Sequence, residues 1–147
     1  MYDPPVSSSI DLSIPSELGY ERVVREAVAS FAHRLGFATE RVEDLKTAVS
    51  EACLNAIEHG NAQTPGLRVD VTCVWDGSGL TVCVQDQGLK PYSGHVTSCI
   101  EQRLRGDAPP RGLGLYLITQ LVDACGFEPS PGGGNVLYMC MRRCPRA

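Results

Sequence analysis

The apolar positions of the chain change period several times, and each change marks an element. In "SSIDLSIPS" the residues Ile10, Leu12 and Ile14 alternate with polar ones, which predicts a strand with one buried face. Pro15 ends it, and Ser16 is placed to cap a following helix with Glu17 in its first turn. From Glu17 to Leu35 the spacing becomes helical through Leu18, Val23, Val24, Ala27, Val28, Phe31 and Leu35, and Gly36 stops it. "TERVEDLKTAVSEACLNAIEHG" reads as a second helix, N-capped by Thr39 and closed by Gly60. Its buried stripe is Val42, Leu45, Val49, Ala52, Cys53, Ala56 and Ile57.

Period two then returns. "LRVDVTCVW" and "LTVCVQD" predict a hairpin around the turn "DGSG". A Gly- and Pro-rich stretch follows, with one helical patch near Val96 to Leu104. "GLGLYLITQLVDACG" restores a helix, and "EPSPGGGNVLYMCMRR" gives a glycine turn and a last strand. The order strand, two helices, hairpin, irregular segment, helix, strand predicts an α+β fold. It is a two-layer sandwich, with a mixed, mostly antiparallel sheet covered on one face by helices.

Composition adds limits. At 147 residues, with no repeat and no interdomain linker, residues 1–147 are expected to form a single domain. The net charge of -4, with Lys and Arg thinly spread, argues against direct nucleic-acid binding. No apolar run approaches the roughly 20 residues that span a bilayer, so no membrane association is expected. The start "MYDPPVSSSIDL" has neither the charged nor the apolar region of a leader, and the expectation is a cytoplasmic protein. Seven cysteines, odd in number and without a C-x-x-C pair, read as reduced thiols rather than a disulfide framework or zinc site.

Three polar islands interrupt the apolar pattern. On the second helix Glu51 and Asn55, four residues apart, project from one side, with Glu58 flanking. Asn55 is a poor helix former well inside a strong helix. In "VQDQG", Asp86 and Gly88 stand where a strand breaks into a loop. A carboxylate there can accept a hydrogen bond from an exocyclic amine such as adenine's, and Gly88 lets a ring approach the backbone. In "PPRGLGLYLI", two glycines at a helix start suit close approach of backbone N–H groups to an anion, with Arg111 beside them. Arg103 and Arg105 lie upstream. Singly, each island has an ordinary explanation: a wet helix face, an Asp-x-Gly turn, a glycine-rich connection.

In sequence order they make E-x-x-x-N on a helix, D-x-G after a strand, an irregular segment, and G-x-G opening a helix. This resembles the Bergerat-type (GHKL) ATP-binding fold. Within that superfamily "EDLKTAVSEACLNAIEHGN" and "RGLGLYLITQLVD" are similar to the bacterial anti-sigma factor serine-protein kinases. The likeness runs from about Ile10 to Met141. It departs at "DQGLK", where Lys90 stands at the usual second glycine.

The resemblance implies a kinase that uses ATP and Mg²⁺ to phosphorylate a serine on a STAS-type anti-anti-sigma factor. In its other state it would hold a sigma factor inactive, and a homodimer is expected. The alternative is an ATP-binding module that sequesters a partner without kinase activity. By the same resemblance Glu51 is the general base and Asn55 the magnesium ligand. Asp86 and Gly88 read the adenine. Gly112, Leu113, Gly114 and Leu115 line the phosphates, Arg111 meets the terminal phosphate, and Leu89 to Arg111 form a lid. Glu58 is claimed by no motif and is expected simply to be solvated.

Overall fold

The computed structural model describes residues 7–88 and 110–144. The expected lid, the helical patch near Val96 to Leu104, Arg103, Arg105 and Cys99 lie outside the described residues, as does the side chain of Arg111.

The elements in chain order are strand β1 (Ser8–Pro15), helix α1 (Glu21–Arg34), helix α2 (Thr39–Asn55), a π-helical turn (Ala56–Gly60), strands β2 (Arg68–Trp75) and β3 (Gly79–Gln85), helix α3 (Pro110–Leu121), and strands β4 (Ala124–Pro129) and β5 (Asn135–Arg142). The strands form one sheet in the order β1-β2-β3-β5-β4, and every described pairing is antiparallel. The expected α+β sandwich is therefore observed, with a sheet more regular than the mixed one anticipated.

Register explains the single core. Val71, Val84 and Leu137 lie side by side across β2, β3 and β5, as do Cys73, Val82 and Met139, then Trp75, Leu80 and Met141. All nine are buried. Opposite neighbours point the same way, so these rows make one apolar face. The helices cover it: Val24 and Val28 from α1, Val42, Leu45, Val49 and Cys53 from α2, and Leu115 and Ile118 from α3. The other face carries the rows Thr72, Cys83, Tyr138 and Val74, Thr81, Cys140, all partly or fully exposed. At one end of the core, Phe37 meets Trp75 edge-on at 6.0 Å, and the Arg143 guanidinium lies 5.3 Å from the indole centroid.

Five local expectations need correction. Helix α1 begins at Glu21, because Gly19 takes a positive φ of 107° and closes a turn before the helix. Ser16 caps nothing: it is buried and its hydroxyl accepts a hydrogen bond from Asn61. Leu18 and Val23, assigned to the buried stripe, are exposed. At α2 the N-cap position belongs to Ala38, with Thr39 the first helical residue and no side-chain cap. The fifth concerns "ACGFEP", read as the end of a helix and a turn. It is the edge strand β4, with Cys125 opposite Met139 and Phe127 opposite Leu137 on the core side. A short edge strand has one ladder and few apolar positions, so tertiary pairing rather than local pattern decides it.

Candidate functional site

The middle helix α2 packs against both α1 and α3, and its last turns carry the first polar island. Asn55 is its final residue and is only 7% exposed. Glu51 is half-buried one turn earlier, on the side that faces α3. A Cβ placed on Gly114 would stand 2.9 Å from Glu51 Oε2. Gly114 thus makes room for the carboxylate. The helix itself starts at Pro110, so Gly112 falls in its first turn and Gly114 in its second, the latter with Glu51 as its neighbour.

Burial holds the Glu51 carboxyl above the ordinary glutamate pKa, and the negative charge of Glu58 raises it further. Glu58 is solvent-exposed as expected, yet it is electrostatically joined to the site. The flanking position read from the sequence thus carries an electrostatic effect beyond the solvation expected of Glu58.

After Asn55 the helix widens into the π turn, which Asn61 closes by donating its N–H to Ala56 O at 2.7 Å. Such wide turns are rare and concentrate at functional sites. This one delivers Gly60 to the second island. Asp86, just past β3, is 2% exposed. Its Oδ1 accepts the backbone N–H groups of Gly88 and Asn135, both at 3.0 Å, and its own N–H donates to Asn135 O at 3.0 Å. Its carboxylate rests against the Cα of Gly60, where a Cβ would overlap Oδ2. Gly88 lies equally tight against Gly60 O, and Gly134 against Asp86 O. Three glycines therefore cradle one buried carboxylate that has two hydrogen bonds on one oxygen and free acceptor capacity on the other.

The structure brings Glu51, Asn55 and Gly114 together at one part of the site, and Asp86, Gly88, Gly60, Gly134 and Asn135 at another, with the π turn between. Leu115, expected beside the phosphates, is fully buried in the core. The sequence marks Gly134 and Asn135 only as a turn and the start of a strand. Among the described residues no group of three or more His, Cys, Asp or Glu side chains could hold a metal ion. The amide oxygen of Asn55 fits Mg²⁺, which keeps waters and substrate oxygens beside one or two protein groups.

Away from this site, a groove of about 630 Å³ opens at the opposite end of the sheet, lined by Asp76, Ser78, Thr81, Asp123, Cys140 and Arg142. It contains none of the predicted site residues. The six described cysteines are free thiols, and burial pushes Cys53 and Cys73 up to about 12. No described helix is long and apolar enough to cross a membrane.

An antiparallel sheet with helices on one face, a helix-borne Glu-x-x-x-Asn, and a glycine-cradled Asp at a strand end define a GHKL-type nucleotide-binding fold. The chain belongs to the histidine kinase-like ATPase domain family, whose model matches residues 14–141. It is 33% identical over 134 residues to the serine-protein kinase RsbW of Bacillus velezensis, covering 84% of this chain and 79% of that protein. With the serine-protein kinase RsbW of Bacillus thuringiensis it shares 32% identity over 125 residues, 78% of this chain and 73% of that one. The fold is similar to that in the crystal structure of the RsbU and RsbW domains of Rv1364c from Mycobacterium tuberculosis, with a TM-score of 0.61 at 19% identity. That match covers 95% of this chain, which spans about a third (34%) of the larger protein.

Proposed function

We propose that this protein is an ATP-dependent protein-serine kinase whose substrate is a STAS-type anti-anti-sigma factor, and that it holds a sigma factor inactive in its other state. The observation that carries the reading is the pairing of a half-desolvated Glu51, seated against Gly114, with a buried Asn55 one turn away. The names of the relatives, serine-protein kinases at 32–33% identity, support it.

The residues suit the chemistry. Phosphoryl transfer has a loose transition state, so positioning and charge neutralisation matter most. Glu51 orients the serine hydroxyl of the partner. As the serine oxygen bonds to the terminal phosphorus and the bridging bond breaks, ADP leaves and Glu51 takes the hydroxyl proton. Its raised pKa makes it a stronger base than an ordinary glutamate. Asn55 offers its amide oxygen to Mg²⁺, which supplies charge neutralisation at the phosphate oxygens when bound. Asp86 keeps one carboxylate oxygen for the adenine amine, and its cradle holds that oxygen in place. Arg111, Gly112 and Leu113 stand at the start of α3 for the phosphates. On this reading the protein works as a single cytoplasmic domain that pairs with a second copy, which a native mass in solution checks.

The test is to mix the protein with γ-labelled ATP, Mg²⁺ and candidate STAS proteins. Label on a serine of the partner is the expected result. Nucleotide binding without transfer would overturn the kinase and leave a nucleotide-dependent sequestering protein. No nucleotide binding would overturn both.

A further inference from the structure

Directly after the π turn stands Asn61, 1% exposed and bonded through every arm of its side chain. Its Nδ2 donates to Ser16 Oγ at 2.9 Å and to Arg68 O at 3.0 Å, and its Oδ1 accepts the N–H of Gln87 at 2.7 Å. A flipped amide would set its NH₂ against the Gln87 N–H and its oxygen against the Arg68 carbonyl, so the network admits one orientation. One side chain thus ties together the end of β1, the start of β2 and the residue that follows Asp86. Gln87 is held a second time, its Oε1 accepting the Arg68 N–H at 2.6 Å.

The placement bears on the cradle. Asn61 is the neighbour of Gly60, which touches both the Asp86 carboxylate and Gly88. Gln87 lies between Asp86 and Gly88. The Asn61–Gln87 bond therefore fixes the two strips of backbone whose contact sets where the Asp86 carboxylate stands. The chain beyond is held against its own preference: Ala62 and Gln63 take positive φ values of 50° and 54°, a conformation that a residue with a Cβ disfavours. Such backbone persists where surrounding bonds over-determine it.

We infer that Asn61 is a positioning residue for nucleotide recognition, acting through Asp86 by locking residues 60–61 to residues 86–88. The inference rests on the proposed reading of Asp86 as the adenine acceptor.

The experiment measures ADP affinity by calorimetry and amide exchange by mass spectrometry. It compares the wild type, Asn61→Ser, Asp86→Asn, the double variant, and Val28→Ala as a destabilised core control remote from the site. Asn61→Ser is expected to weaken ADP binding about tenfold and to speed exchange at Gln87 and Gly88. Because it works through Asp86, it should add little to Asp86→Asn in the double variant. Val28→Ala should lower the melting temperature while leaving ADP affinity within about twofold. Additive losses in the double variant, wild-type affinity in Asn61→Ser, or equal loss in Val28→Ala would each overturn the positioning role. A wild-type chain that binds no ADP overturns the nucleotide reading and this inference with it. Should Asn61→Ser fail to fold, Ser16→Ala removes one of the Asn61 acceptors and carries the same cycle, with a smaller loss expected.

Discussion

The carboxylate of Glu51 rests against the bare Cα of Gly114, at a distance where a single added methyl would stand 2.9 Å from Oε2. Gly114 lies inside α3, where Ala would ordinarily stabilise the helix by roughly 1 kcal/mol over Gly. An added methyl there would displace the Glu51 carboxylate on the neighbouring helix rather than break α3.

Two substitutions follow from that contact. Glu51→Gln keeps the shape and removes the base, so serine transfer is expected to fall about 10²–10⁴-fold while ADP affinity changes little. Gly114→Ala keeps the base and displaces it, so transfer should drop at least about tenfold despite the better helix former. Single-turnover transfer with labelled ATP, beside calorimetric ADP binding, checks both. Full activity in Glu51→Gln removes its assigned role.

The raised pKa of Glu51 predicts a pH dependence. Burial and then Glu58 disfavour the ionised form, so the base appears only above the ordinary glutamate value, and the transfer rate should climb with pH through that raised pKa before levelling. Glu58→Gln removes the second cause and should move the rising limb to lower pH. Stability runs the opposite way. The favourable contribution of protonated Glu51 is complete below the ordinary glutamate pKa and is lost as pH rises through the raised one. Glu51→Gln should therefore melt higher than wild type at neutral pH, and the two should converge in acid. A limb unmoved by Glu58→Gln would sink the assignment.

At the proposed adenine side, Asp86→Asn retains an oxygen for the Gly88 and Asn135 N–H groups but exchanges the free acceptor for a donor. ADP binding should weaken about 10- to 100-fold, the range of a lost bond to a charged acceptor. Gly60→Ala drives a Cβ into the same carboxylate. It should lower stability by about 2 kcal/mol, a melting shift of roughly 5 °C, and abolish binding. The fluorescence of Trp75, the protein's one tryptophan, reports the unfolding.

Much of this could be read in the sequence, for identifiable reasons. Strict alternation at Val69, Val71, Cys73 and Trp75 and helical spacing from Val42 to Ile57 are local signals, and both elements are found. Glu51 and Asn55 could be paired because four residues is a helical spacing. The Asp86 cradle was legible only in part: Asp86 and Gly88 lie two residues apart, but Gly60 and Gly134 reach them from other elements. Asn61 offered no pattern, since its partners at Ser16, Arg68 and Gln87 are distant in sequence. Strand β4 was missed for the same reason, its identity being conferred by pairing with β5.

The thiols divide by environment. Cys53 and Cys73, pushed up to about 12, are expected to resist iodoacetamide at pH 8, while exposed Cys144 reacts. Mass spectrometry of the native protein, with and without denaturant, checks the order. Labelling of Cys53 at the rate of Cys144 would contradict the core described above.

The widened turn at Ala56–Gly60 gives the site two different mechanical characters. Glu51 and Asn55 belong to regular helix packed between two others. Gly60 and Asn61 belong to a wide turn that leads into left-handed backbone, and a few side-chain bonds to Ser16, Arg68 and Gln87 hold it in place of a helical ladder. Loss of those few bonds should open that side before the helix is disturbed. On the proposed reading, a purine end held this way can release a spent nucleotide through a handful of bonds while Glu51 and Asn55 stay in register for the next one.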